Sequence, residues 1–243
     1  MSSIEKTKGI VLRHFKYSET SVITEILTEN NGKQSFIASG VRKKKSKIPY
    51  TYFQSFNQLE IVYYPSKNNL FRIKELSAIG NNQNINFDVV KSAIALFLSE
   101  IIANTTREGE KEKQLFDFLS KFIPFLDSSD TKSIVNIHLW TSIRLMQFNG
   151  ITPENNFSEK NIYFNPVEGQ FCNKQTENKL TYDKTNSYIL HQFLSTPLEQ
   201  CAEIPLSGEK RKEILKKIIQ YFSLHIEGFK TGKTLDVLSL IFE

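Results

Sequence analysis

Apolar positions in the first third of the chain follow a strand period. Gly9–Phe15 (GIVLRHF) is dense in the β-branched and aromatic residues that suit a pleated, half-buried surface. Ser21 to Leu27 alternates, with Val22, Thr24 and Ile26 on one side. Asn30-Asn31-Gly32 is a hairpin signal, because Asn and Gly tolerate the positive φ of tight turns. Gln34 to Val41 reads as a third strand, Gln58 to Tyr64 as a fourth and Leu70 to Ile79 as a fifth. Five short strands in about 80 residues predict a small barrel, a closed form that removes aggregation-prone edges. A five-stranded, partly open Greek-key barrel is the OB-fold.

The polar stretch Gly80 to Asn86 ends this region, and beyond it the apolar period becomes helical. Val89, Val90, Ala93, Leu96, Phe97 and Ile101 share one face. Further helices are predicted over Glu110 to Phe125, Thr131 to Phe148, Asn186 to Leu194, Glu209 to Ile226 and Leu235 to Ile241. Asn149-Gly150 suits a helix C-cap. Residues 150–182 read as a polar, loop-like insert. The expected fold class is therefore α+β: an OB barrel over residues 1–80, then an all-α domain over 81–243 with its insert near 150–185.

Composition adds one pointed fact to an otherwise ordinary globular profile. The chain has 243 residues, 40% hydrophobic and 23% charged, with 19 Phe against a single Trp. Its formal net charge is +5, but the excess is local. Residues 1–80 carry 13 Lys and Arg against 6 acids, and the remainder carries 18 against 20. Such segregation favours a polyanionic partner for the barrel. Met1 to Lys8 is polar, with no secretory signal, and no apolar run is long enough to span a bilayer. A soluble cytoplasmic protein without membrane contact is expected. Two cysteines, Cys172 and Cys201, make neither a disulfide framework nor a four-cysteine zinc site. Cys172, Cys201 and His191 form no recognised ligand pattern, so no metal and no cofactor are expected.

Arg42-Lys43-Lys44-Lys45-Ser46-Lys47, closed by Pro49, places five cations in six residues. Phosphates neutralised there would release condensed counterions. Single-strand binders join such a groove to aromatic platforms for base stacking, and Phe15, Tyr17, Tyr50, Tyr52 and Tyr63 are the candidates. Some of these rings must instead fill the barrel. Signatures of catalysis are sparse. His14, His138, His191 and His225 form no HExxH pair, and no nucleophile elbow occurs. Gly228-Phe229-Lys230-Thr231-Gly232-Lys233-Thr234 resembles the tail of a phosphate-binding loop, but three residues separate its glycines where four are required, and it follows a helix rather than a strand.

The motifs Gly9-Ile10-Val11-Leu12-Arg13, Tyr17-Ser18-Glu19-Thr20-Ser21, Thr28-Glu29-Asn30-Asn31-Gly32-Lys33, Ala38-Ser39-Gly40-Val41-Arg42 and Lys45-Ser46 together resemble the N-terminal signature of the RecO family. Ser18 stands where the family often has Gly. Phe53-Gln54-Ser55-Phe56 and Leu59-Glu60-Ile61 resemble a later strand. Gly228 with Lys233-Thr234-Leu235-Asp236-Val237-Leu238 resembles the closing segment. The specific part is the first 80 residues; the helical part is generic.

The resemblance implies an OB-fold and a helical domain that bind single- and double-stranded DNA and anneal complementary strands without enzymatic chemistry. It implies work with RecR and with the C-terminal tail of the single-stranded DNA-binding protein SSB in loading RecA; participation of RecF is left open. Such a protein would be cytoplasmic and nucleoid-associated. By position, Arg13, Arg42, Lys43, Lys44, Lys45 and Lys47 would face DNA, and Lys16 and Lys33 complete the candidate set. Lys210, Arg211, Lys216 and Lys217 are candidates for holding the acidic-hydrophobic SSB tail. Many family members carry a four-cysteine zinc module in the helical domain; only Cys172 falls in the corresponding insert here, so zinc is not carried over. Two rivals remain: an OB-fold RNA-binding protein, which a strong preference for RNA would reveal, and an enzyme, for which no acid–base pair or nucleophile can be named.

Overall fold

The computed structural model describes residues 4–43, 46–80, 82–175, 180–232 and 234–241. Its contacts divide the chain into two compact units, Met1–Ser128 and Ser129–Glu243.

The first unit is built on a closed barrel. Its strands are β1 (Glu5–Lys16), β2 (Val22–Thr28), β3 (Gly32–Ala38), β4 (Gln58–Tyr64) and β5 (Leu70–Ala78). They run in the order β1-β2-β3-β5-β4, with β4 closing on β1. The β3–β5 pair is parallel and the other pairs are antiparallel. This is the OB-fold that the strand count predicts. Alternate residues point inward, so Val22 and Ile26 of β2 meet Phe36 of β3, Leu59, Ile61 and Tyr63 of β4 and Ile73 of β5. Burying each such side chain contributes about 1.5–3 kcal/mol. Gly9 lies where β1 crosses this core: a Cβ there would sit 2.4 Å from Ile26 Cγ2. The Asn30-Asn31-Gly32 turn forms as expected, with Gly32 at φ 64°. Thr28 Oγ1 fixes it, donating to the Gly32 carbonyl at 2.8 Å and accepting from the Asn31 N–H.

Among the described residues, helices α1 (Gln83–Phe87), α2 (Val89–Thr105) and α3 (Lys113–Ser128) follow the barrel in this unit. The short α1 begins within the stretch read as a polar boundary and ends one residue past it. A distant side chain holds it, since Asp127 Oδ1 accepts from the Ile85 N–H at 2.8 Å. Asp88 caps α2 by accepting from the N–H groups of Val90 and Lys91. The buried Lys91 donates through Nζ to the Asp127 carbonyl at 2.6 Å, tying α2 to the end of α3. The third helix carries Pro124 in its interior and runs on to Ser128, past the end its sequence predicts.

In the second unit α4 (Ile137–Phe148) is central. Nine of its side chains, polar His138, Thr141 and Ser142 among them, are buried. The helix begins later than Thr131. Asp130 accepts from the Ser133 N–H and hydroxyl, a local turn that competes with helix. The buried Asn136 amide donates to the carbonyls of Cys201 and Ile204. The insert holds a two-stranded hairpin, β6 (Tyr163–Asn165) and β7 (Gln170–Cys172), rather than loop alone. After it come α5 (Lys184–Ser195), a 3-10 turn over Leu198–Glu203, α6 (Gly208–His225) and α7 (Thr234–Ile241). Lys233 of the Gly-Lys-Thr run lies outside the described residues.

Burial of His138 in α4 predicts an acid-labile second unit. Desolvation, with the Arg211 charge adding to it, pushes the imidazole down to about 3. The neutral ring is thus native, while the unfolded ring binds a proton below about 6.5. Stability is full above that value and falls as pH drops towards 3, with about 2 kcal/mol lost at pH ~5. Urea unfolding at neutral and mildly acidic pH checks this. His138→Gln should flatten the dependence, and an unchanged slope would assign it to other groups.

Candidate nucleic-acid interface

One end of β1 shapes the candidate site. Strand β4 pairs with β1 only as far as Ile10↔Gln58, so Val11 to Lys16 run on beyond it. The β3–β4 connection takes over there. Val11 N–H donates to the Asn57 carbonyl, Phe56 N–H to the Val11 carbonyl, and Ser55 Oγ to the Leu12 carbonyl. A 3-10 turn over Tyr50–Phe53 brings Tyr50 to His14, with Nε2 and the hydroxyl 2.8 Å apart and the rings edge-to-face. The Arg42 N–H reaches the Thr20 carbonyl at 3.2 Å, so the β1–β2 loop and the β3–β4 connection are joined at the same end of the barrel.

Exposed cations and rings cluster around this end, with Glu19 of the β1–β2 loop the exposed acid among them. Lys16, Arg42, Lys43 and Lys47 are exposed, and none is in an ion pair among the described residues. Phe15, Tyr17 and Tyr50 are 49%, 61% and 44% exposed, unusual for large aromatics. Lys44 and Lys45, also expected here, lie outside the described residues. Of the remaining candidate rings, Tyr63 belongs to the core and donates to Glu5 Oε2 at 2.7 Å, its hydroxyl pushed up to about 12 by burial and that bond. Tyr52 packs partly buried against the core.

Two candidate cations are occupied internally. Arg13 forks onto Glu25 (Nε to Oε2 2.7 Å, Nη2 to Oε1 3.0 Å) and reaches Asn104 Oδ1 at 3.1 Å. Lys33 Nζ donates to the Ala103 carbonyl at 2.6 Å, in the last turn of α2, and burial lowers its pKa. That turn leaves carbonyls without helical partners, which a lysine satisfies. Both side chains thus hold the barrel to α2.

Register reveals a row that the sequence pattern does not show. Phe15 pairs with Ile23, Ile23 with Ile37, Ile37 with Arg72, and Arg72 with Tyr64. Cross-strand partners share a face, so these five line one outer side of the barrel. The only sequence signal is alternation; the pairing of β3 with β5 is non-local. Fixed cations beside exposed rings can neutralise phosphates and stack bases.

The α6 candidates are mostly engaged within their own unit. Lys210 pairs with Glu213 at 2.6 Å, Arg211 donates to the Leu206 carbonyl, and Lys217 lies 4.5 Å over the Tyr182 ring. Lys216 is exposed. The residues present do not fit the family's zinc module. Cys201 is wholly buried, its thiol pushed up to about 11 by desolvation, and Cys172 Sγ contacts the carbonyls of Tyr163 and Lys174. Among the described residues no group of three His, Cys, Asp or Glu converges for a metal ion. Nor, among them, is any helix long and apolar enough to cross a membrane.

Residues 1–82 match the family model for the N-terminal part of recombination protein O, and residues 86–234 match that for its C-terminal part. The DNA repair protein RecO of Christiangramia forsetii is 33% identical over 97% of this chain and 98% of its own. That of Flavobacterium psychrophilum is 33% identical over 98% of each. That of Bacteroides fragilis is 32% identical over 99% of this chain and its own full length. With both halves of the chain matched and its OB barrel in place, the chain belongs to the RecO family of DNA repair proteins.

Proposed function

We propose that this protein is a recombination mediator that binds single- and double-stranded DNA, anneals complementary strands, and with RecR helps load RecA onto SSB-coated single strands. The observation that carries the reading is the set of exposed cations, Lys16, Arg42, Lys43 and Lys47, around Phe15, Tyr17 and Tyr50 at one barrel end. Cations hold the phosphates of one strand and lower its repulsion for a complement. Rings hold bases without sequence preference. Annealing then accelerates with no covalent step, and the protein acts as a mediator, not an enzyme. The SSB tail, acidic and apolar, is taken by the helical part, where Lys216 is exposed. The setting is the cytoplasm, at the nucleoid.

Fluorescence energy transfer between two complementary labelled oligonucleotides, bare or coated with SSB, tests the proposal. Substoichiometric protein should speed annealing of both. An RNA strand bound far more tightly than DNA of the same sequence would make the protein an RNA binder. No acceleration on bare strands would remove annealing from its functions.

A further inference from the structure

A groove of about 320 Å³ opens in the first unit beside the candidate interface. Its floor is apolar, formed by Ile85 of α1 and by Ala95 and Leu96 of α2. Its rim is polar, with His14 of β1, Gln54 of the β3–β4 connection and Asn86 of α1. Leu96 is 47% exposed, so the floor reaches solvent. The Gln54 side-chain amide makes no hydrogen bond among the described residues, while its backbone N–H donates to the Thr51 carbonyl. Asn86 donates through Nδ2 to Asn57 at 3.3 Å, which leaves its carbonyl oxygen to accept from a ligand. None of the lining residues is acidic.

We propose that this groove receives one unstacked nucleobase of a single strand lying on the basic end of the barrel. A base has two apolar faces and an edge of donors and acceptors, which matches an apolar slot rimmed by amides. A glutamine amide can pair with an adjacent donor and acceptor on such an edge. Continuity selects a base over other apolar ligands. His14 lines the groove and holds Tyr50 of the interface at 2.8 Å. Lys16 lies two residues along the same face of β1, about 7 Å away at the strand rise. A backbone held at Lys16 and running towards His14 and Tyr50 therefore passes the groove mouth. This inference rests on the DNA-binding reading above and adds a site to it.

Anisotropy titrations of the full chain with a labelled thymidine oligonucleotide, and with the same oligonucleotide carrying abasic positions, test it. Wild type should prefer the intact strand, with the one base held in the groove supplying about tenfold of that preference. Leu96→Trp, which fills the groove without changing charge, should lower affinity for the intact strand about tenfold and narrow the preference by the same factor, leaving the share held by Phe15, Tyr17 and Tyr50. It should leave the abasic strand unaffected. Gln54→Ala should act in the same direction and more weakly. Thermal melts matching wild type show that the variants are folded, as an exposed Leu96 allows. A preference unchanged in both variants overturns the groove site while DNA binding stands. Wild type that binds neither strand overturns both readings. Displacement of a labelled acidic amphipathic peptide by Leu96→Trp, with DNA affinity untouched, would give the groove to a protein ligand instead.

Discussion

Changing Lys16, Arg42, Lys43 and Lys47 together to Ala is expected to weaken single-stranded DNA binding roughly a hundredfold at low salt and to flatten its salt dependence by about 3 in log–log slope. Each phosphate contact on a single strand contributes about 0.7 to that slope, so four lost contacts set the figure. The four side chains are exposed and outside ion pairs, so their removal leaves no buried partner unsatisfied and the melting temperature should hold. Two further sets of variants isolate the phosphate contribution. Removing the rings of Phe15, Tyr17 and Tyr50 should cost affinity, about 1–3 kcal/mol for each base released, with the slope intact. Arg13→Ala and Lys33→Ala should leave the slope near wild type and lower stability instead, because they strip Glu25, Asn104 and the end of α2 of their partners. Anisotropy across a salt series reads all three. A slope unchanged in the fourfold variant would move the phosphate path off this end of the barrel. A slope lowered by Arg13→Ala would mean that the Glu25 pair opens to admit DNA.

How much of this is legible in the sequence depends on the range of the interaction. The fourth strand is legible to the residue, Gln58 to Tyr64, because alternation and the flanking turn residues are local signals. So is the Gly32 turn. The sequence places helix α5 within two residues and α6 within one at each end. Helix α1 escapes it because Asp127, over forty residues away, supplies the acceptor for Ile85. The start of α4 is misplaced because Asp130 and Asn136 commit their polar groups to bonds that the apolar spacing does not register. At the site, the basic loop is plain as composition. Composition does not show that Arg13 and Lys33 are held by α2, that Tyr63 is core while Tyr50 is not, or that Arg72 shares a face with Phe15. Each of those depends on register or on a helix far along the chain.

Gly32→Ala is expected to destabilise the first unit by about 3 kcal/mol or more, a large part of the 5–15 kcal/mol that holds a typical domain together. Two costs combine. Gly32 has φ 64°, where an L side chain costs about 1 kcal/mol. Its Cβ would also lie 1.6 Å from the Glu110 carbonyl oxygen, a backbone atom that cannot swing away. That segment is held against the hairpin at several points: Gly109 N–H donates to the Lys33 carbonyl at 3.0 Å, and Lys113 pairs with Glu29 at 3.5 Å. Relief requires breaking these contacts, and they border the Lys33 bond to α2. Gly80→Ala isolates the first cost, because Gly80 has φ 77° and nothing within 4 Å of its would-be Cβ. Denaturant titration should place Gly80→Ala about 1 kcal/mol below wild type and Gly32→Ala well below that. Equal losses at the two glycines would mean that residues 108–112 yield freely, and that the hairpin is held by its own turn and strands alone. A gap of about 2 kcal/mol would show that the clamp on the β2–β3 hairpin is stiff enough to fix the outer face on which Phe15, Ile23 and Ile37 lie.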